Sequence, residues 1–233
     1  MDLFVLNILV IIGILIIPGY STLKLNLNYS KDKKEKNKGK LTGYDVAKKI
    51  LDSNGLTSIY IVSTNGNLTD HYDSNRKTMR LSKDIYEGTS VAALAVAAHE
   101  CGHAVQDAKG YKWFKVRHSI YPVVSIGEKA AMVVLIIGLV LGSLNFLYAA
   151  IGLMGFALVF EIVTLPVELD ASKRALKMIQ KYDISTDKKE LKGVKKVLNA
   201  AAFTYIAAII STVAEMLYYV LRASNNRRWY YEK

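Results

Sequence analysis

Four long apolar stretches set the first limit on how this chain of 233 residues can fold. Leu3 to Ile17 is hydrocarbon throughout apart from Asn7 and Gly13, and Met132–Leu141, Ala149–Phe160 and much of Phe203–Leu221 are strongly apolar. A bilayer core takes about 20 mostly apolar residues per helix. The pattern predicts four membrane segments, at roughly 3–19, 122–142, 146–166 and 203–221. A buried soluble helix is the alternative for each. It is most credible for 122–142, whose start carries Glu128 and Lys129, and for the Ala- and Tyr-rich last segment. With 52% hydrophobic residues, one modest soluble core could not absorb all four.

The first segment reads as an anchor rather than a cleaved signal. Met1-Asp2 carries no positive side chain, and no small-x-small site follows Ile17-Pro18-Gly19-Tyr20. Of the 31 Lys and Arg residues, 17 fall between 22 and 118 and 9 between 167 and 200. Both stretches share one face if all four segments cross, and positive loops favour the cytoplasmic face. The tail, with Arg222, Arg227, Arg228 and Lys233, then lies outside, against the same rule, unless the last segment does not cross. The net charge of +11 does not indicate nucleic acid. The run Lys31–Lys40 mixes both signs, has no interleaved aromatic platform and leads into no recognition fold. It reads as a solvated spacer near anionic headgroups.

His99-Glu100-Cys101-Gly102-His103 supplies the chemistry. Residues i and i+4 share a helix face, so two imidazoles can grip one ion. Glu100 is turned about 100° from His99, within reach of a water on that ion. Such an H-E-x-x-H helix is the signature of zinc metallopeptidases, with the Glu as general base. Val91–Ala98 contains no Pro or Gly, and Thr89 or Ser90 can cap its start. Cys101, the one cysteine, is turned about 200° from His99 and reads as core, and Gly102 as a packing residue. An unpaired cysteine fits a reducing compartment.

Upstream lies a small soluble unit. Thr42 can cap a helix over Gly43–Ser53 that Gly55 stops. Ile59–Val62 and Lys77–Ser82 read as strands, with a turn at Asn65-Gly66. Zinc peptidases commonly hold substrate as a strand added along such an edge.

A catalytic zinc takes three protein ligands and an open position. Gln106 and Lys109 occupy the places where a three-histidine motif needs glycine and histidine, so that arrangement is excluded. His71 and His118 sit in no ligand-like context. Glu168, 65 residues after His103, is the candidate, and Asp170 is its rival, turned about 200° away on a helix. An exposed first-turn acid is the bland reading of Glu168. Glu161 and Glu215, inside predicted membrane segments, suggest a polar cavity or a partner such as Lys129.

Four motifs in order carry a resemblance over nearly the whole chain: Leu68–Asp73, Ser90–Gln106, Leu165–Leu176 and Val197–Tyr205. They resemble the neutral zinc metallopeptidases of integral-membrane type, the YugP-like family. That family looks related to the CAAX prenyl protease and heat-shock membrane peptidases. The resemblance implies one zinc per chain held by His99, His103 and Glu168, with Glu100 as base. Ser172 stands where the distant relatives have Asp, so support for a ligand histidine must come from Ser172 or elsewhere. A second donor to the developing oxyanion is needed, for which Tyr205 and His71 are candidates.

The expected fold is mainly α, an integral membrane helical protein with a small α+β zincin-like catalytic unit. Its expected organisation is an anchor at 1–21, a basic linker at 22–40, a catalytic unit at 41–118 and a transmembrane hairpin at 119–166. A third-ligand helical segment at 167–202, a last membrane helix at 203–222 and a basic tail at 223–233 complete it. The expected protein is a multi-pass cell-membrane zinc endopeptidase facing the cytoplasm, acting on peptides or membrane proteins. The alternative is a catalytically inactive zinc-binding scaffold.

Overall fold

The computed structural model describes residues 5, 8–10, 12–66 and 69–231, with side chains described as far as Ser224. The start of the first predicted segment, Leu68 of the first motif, the side chains of Arg227 and Arg228, and Lys233 lie outside the described residues. A π-helical turn, Ile12–Ile16, leads into α1 (Ile17–Lys34), followed by α2 (Gly43–Ser53) and the strands β1 (Tyr60–Thr64), β2 (His71–Asp73) and β3 (Thr78–Ser82). A short α3 (Lys83–Tyr86) precedes α4 (Val91–Ala108). Three long helices complete the chain: α5 (Lys112–Leu141), α6 (Leu144–Lys181) and α7 (Lys188–Tyr231). The fold is mainly α with a small α+β unit, as the sequence predicts.

Among the described residues, four helices are long and apolar enough to cross a membrane: Ile8–Lys34, Lys112–Leu141, Leu144–Lys181 and Lys188–Ser224. The chain forms two compact units. One comprises Met1–Thr22, Val116–Leu165 and Thr204–Lys233, and holds the most apolar parts of all four helices. Its outward side chains are themselves apolar, with Ile126 70% and Val140 78% exposed. Large contiguous apolar surface of this kind is foreign to water and natural in lipid. At Gly13 an added Cβ would come within 2.6 Å of Ala214 Cβ, so glycine permits that close approach. Inside this unit Glu161 is met by Thr212, whose Oγ1 donates at 2.9 Å, rather than by Lys129. The hydroxyl is the partner because Thr212 lies on a helix that packs directly against the carboxylate.

The other unit comprises Leu23–Lys115 and Pro166–Phe203. Its core gathers Val46, Ile50 and Leu51 of α2, Met79 and Leu81 of β3, Leu94 of α4 and Ile179 of α6. Helix α2 begins with a capping box: Thr42 Oγ1 accepts the Asp45 N–H, and Asp45 accepts the Thr42 N–H at 2.9 Å. Gly55, at φ +72°, follows its end. The sheet order is β1-β3-β2, with β1 parallel to β3 and β2 antiparallel to it. The Asn65-Gly66 turn therefore ends β1 without closing a hairpin. The hairpin is β2–β3, tightened where Asp73 Oδ1 accepts the N–H groups of Asn75 and Arg76.

The lysine-rich run differs from the expected solvated spacer. Helix α1 continues to Lys34, and Asn37 beyond it is 3% exposed. Asn37 Nδ2 donates to the carbonyls of Leu41 and Thr89, and its Oδ1 accepts the Leu41 N–H. One buried amide with full hydrogen bonding ties the run down while its lysines stay in water.

Candidate metal centre

Helix α4 carries the motif and is held from its first turn. Ser90 Oγ accepts the Ala93 N–H at 3.0 Å, and the Glu35 carbonyl accepts the Val91 N–H at 2.8 Å. The alanines at 92, 93, 95, 97 and 98 are fully buried, which lets neighbours pack close to the helix. Cys101 faces α2, its Sγ 3.7 Å from the Ala47 carbonyl, and burial raises its thiol well above the ordinary range. It points away from the imidazoles, as the helical period requires. At Gly102 an added Cβ would lie 2.5 Å from the Ala171 carbonyl oxygen. Glycine is thus what brings α6 against α4 at the level of the two histidines.

That approach delivers Glu168. His99 Nε2 lies 3.1 Å and His103 Nε2 3.5 Å from Glu168 Oε2. One ligand atom from each residue falls within 4.8 Å of the others. Tetrahedral zinc with bonds of about 2.0–2.2 Å separates its ligand atoms by roughly 3.3–3.6 Å. One of the two edges to Glu168 falls within that spacing and the other is slightly shorter, and with the third donor within 4.8 Å small side-chain rotations fit the set to the ion.

The orientation of both imidazoles is fixed from behind. His103 Nδ1 is 3.0 Å from Gln106 Oε1, and His99 Nδ1 is 3.2 Å from Ser172 Oγ. The Gln106 amide has one possible orientation, because its Nε2 faces two pure acceptors, the Val167 carbonyl at 2.7 Å and Asp170 Oδ2 at 2.8 Å. Its Oε1 must therefore accept from His103 Nδ1–H, which leaves Nε2 bare on the side of Glu168. Arg174 in turn donates from Nε to Asp170 Oδ2 at 2.5 Å and lies over the Tyr111 ring.

Glu100 is 7% exposed, and burial pushes its carboxyl up to about 7, against the pull of His99. Its carboxylate also accepts a hydrogen bond from the backbone N–H of Tyr72 on β2. The Tyr72 hydroxyl donates to Asp107 Oδ2 at 2.8 Å, so β2 is tied to α4 at two levels.

A model of the family described as "Putative neutral zinc metallopeptidase" matches residues 7–224. The chain belongs to that family. It is 39% identical over 208 residues to "Putative membrane protease YugP" of Bacillus subtilis (strain 168), covering 89% of this chain and 92% of the relative. A comparison with solved structures finds no match. The family resemblance read from the four motifs is the one the comparisons give.

The expected site residues separate in the structure. His99, Glu100, His103, Glu168 and Ser172 converge in one compact unit. His71 lies on β2 with an exposed ring whose Nδ1 is 2.8 Å from the Thr69 carbonyl, and it is not among the three clustered donors. Tyr205 is half-buried in the other unit. Gln106 and Asp170 were not expected in a supporting role. The available signal was position: Gln106 is one turn after His103, on the same helix face.

Proposed function

We propose that the chain is a membrane-embedded zinc endopeptidase in which His99, His103 and Glu168 hold one zinc ion and Glu100 is the general base. The observation that carries this reading is the convergence of two Nε2 atoms on one Glu168 oxygen, at 3.1 and 3.5 Å. When bound, zinc supplies Lewis acidity and lowers the pKa of a water toward about 7.

Glu100 takes a proton from the attacking water and delivers it to the leaving amine. Gln106 and Ser172 keep both imidazoles pointed at the ion. Substrate lies extended beside β2 and Glu100, with affinity from main-chain hydrogen bonds rather than strict sequence demands. His71, exposed on that strand, is the candidate donor to the developing oxyanion. The catalytic unit faces the cytoplasm, and the four apolar helices cross the cell membrane.

The test uses the full chain in detergent or nanodiscs. Wild type should carry about one zinc and cleave an unfolded membrane-protein substrate. Glu100→Gln should keep the zinc and lose at least 100-fold in cleavage rate, the lower range for a general base. A zinc-loaded wild type that cleaves nothing would leave the inactive scaffold as the reading.

A further inference from the structure

Away from the candidate centre, α1 and α7 line a cleft of about 300 Å³, formed by Lys24, Asn28, Lys196, Asn199, Ala200 and Phe203. All six belong to the same compact unit. Lys24 and Asn28 are four residues apart on α1, and Lys196, Asn199 and Phe203 follow at three and four on α7. Each set therefore occupies one helix face. The Lys24 Nζ stands 5.3 Å from the centre of the Phe203 ring, so the α1 ammonium reaches across to α7.

Position along the chain gives the cleft its meaning. Between Leu3 and Leu23 there is no Asp, Glu, Lys or Arg, and Lys24 is the first charge on α1. Between Val197 and Ala214 there is again none, and Lys196 is the last cation on α7 before that stretch. Both lysines mark the level at which their helices pass from apolar to charged sequence, where the phosphates of a bilayer lie.

Chemistry narrows the ligand. Two ammonium groups lining one small cleft favour an anion as its ligand. Each offers three donors and no acceptor, and the two carboxamides add donors of their own. Asp32, buried near Lys196, offsets part of the charge. Lys31 and Lys34, farther along the same helix, line a separate cleft together with Glu35. The Phe203 ring and Ala200 supply an apolar wall on the side toward the acyl chains.

We propose that this cleft binds the phosphate of an anionic phospholipid headgroup at the membrane face where α1 and α7 leave the bilayer. The proposal rests on those two helices crossing the membrane and is independent of the peptidase chemistry. Its test therefore reads neither zinc nor cleavage.

The full chain is purified in detergent and titrated with phosphatidylglycerol, with phosphatidylcholine and with inorganic phosphate. Retained lipid is counted by native mass spectrometry, and unfolding temperature is recorded. A surface lysine contributes about fivefold in affinity for an anionic lipid. Lys24→Gln with Lys196→Gln should therefore weaken phosphatidylglycerol retention by roughly 30-fold. Lys24→Arg with Lys196→Arg should keep it, and Lys31→Gln with Lys34→Gln should change it less than threefold. Unchanged retention in the Lys24/Lys196 glutamine variant, at an unchanged lipid-free melting temperature, overturns the site. Equal loss in the Lys31/Lys34 variant overturns it too, since the attraction would then be a general surface effect. Stabilisation by inorganic phosphate equal to that by the lipid overturns the headgroup as its source.

Discussion

A glutamine with no solvent exposure loses water from both ends of its amide, and the loss is tolerable only where both ends are hydrogen-bonded. Gln106 meets that condition through three partners, one of which is His103. Gln106→Leu keeps the volume and removes all three bonds. It leaves the Val167 carbonyl and Asp170 without this donor and frees the imidazole to rotate. Zinc affinity should fall about 10- to 100-fold, as for other residues behind metal-bound histidines. Competition with a chelator at constant helicity measures this, and an unchanged affinity would show that Gln106 only fills space. Asp70 gives a second residue-scale prediction, in pH. Burial lifts its carboxyl above the ordinary range, against hydrogen bonds from the Ser82 N–H at 2.7 Å and the Ser82 hydroxyl. In the window just above the unfolded value of about 3.9, the folded chain then holds more protons than the unfolded one. Stability contributed by this group is complete below that window and is lost as pH rises through it. Asp70→Asn should remove the slope, and parallel melting curves of variant and wild type from pH 4 to 7 would refute the burial argument. The two histidines were legible in the sequence because helical spacing announces them, whereas Glu168 was separated from its rival Asp170 by the family resemblance. Gln106 was not legible, because an uncharged side chain one turn from a histidine has no chemical mark until its partners on α6 are known.

At the scale of elements, α4 and α6 meet across a glycine, and that contact positions Glu168 and Ser172 opposite the histidines. Gly102→Ala would place a methyl 2.5 Å from the Ala171 carbonyl oxygen and 3.0 Å from its Cα. These are backbone atoms, so no side-chain rotation relieves the clash. The helices must separate, at a cost of about 1–3 kcal/mol. Melting should drop accordingly, and zinc affinity should drop with it, because the third donor rides on the displaced helix. A variant that melts earlier but binds zinc as wild type would separate packing from the site. Capping signals at Thr42 and Ser90, the stop at Gly55 and the strands near 60 and 80 could all be read from the sequence, since each is a local device. Strand β2 could not. Three residues are too few for an alternation pattern, and its place between β3 and α4 is set by Asp107 and Glu100, 35 and 28 positions beyond Tyr72 along the chain. The order β1-β3-β2 was equally hidden, because a parallel pair needs a crossover that no turn signal encodes.

For the molecule as a whole, composition established that long apolar helices must exist, and charge distribution proposes which way they face. The 17 and 9 cations in the two charged stretches outweigh the few of the tail, and α7 has an apolar window long enough to cross. The proposed orientation places Ser58 inside, with Asn145 and Ser224 outside. All three are exposed. The native cysteine gives little background, since Cys101 is buried and its thiol is held protonated. Single variants Ser58→Cys, Asn145→Cys and Ser224→Cys can therefore be probed in intact cells with a membrane-impermeant maleimide. Asn145→Cys and Ser224→Cys should label before lysis, and Ser58→Cys only after it. Labelling of Asn145→Cys but not Ser224→Cys would mean that α7 enters without crossing and that the positive tail obeys the charge rule. Labelling of Ser58→Cys in intact cells would put the candidate centre on the outer face and overturn the cytoplasmic assignment.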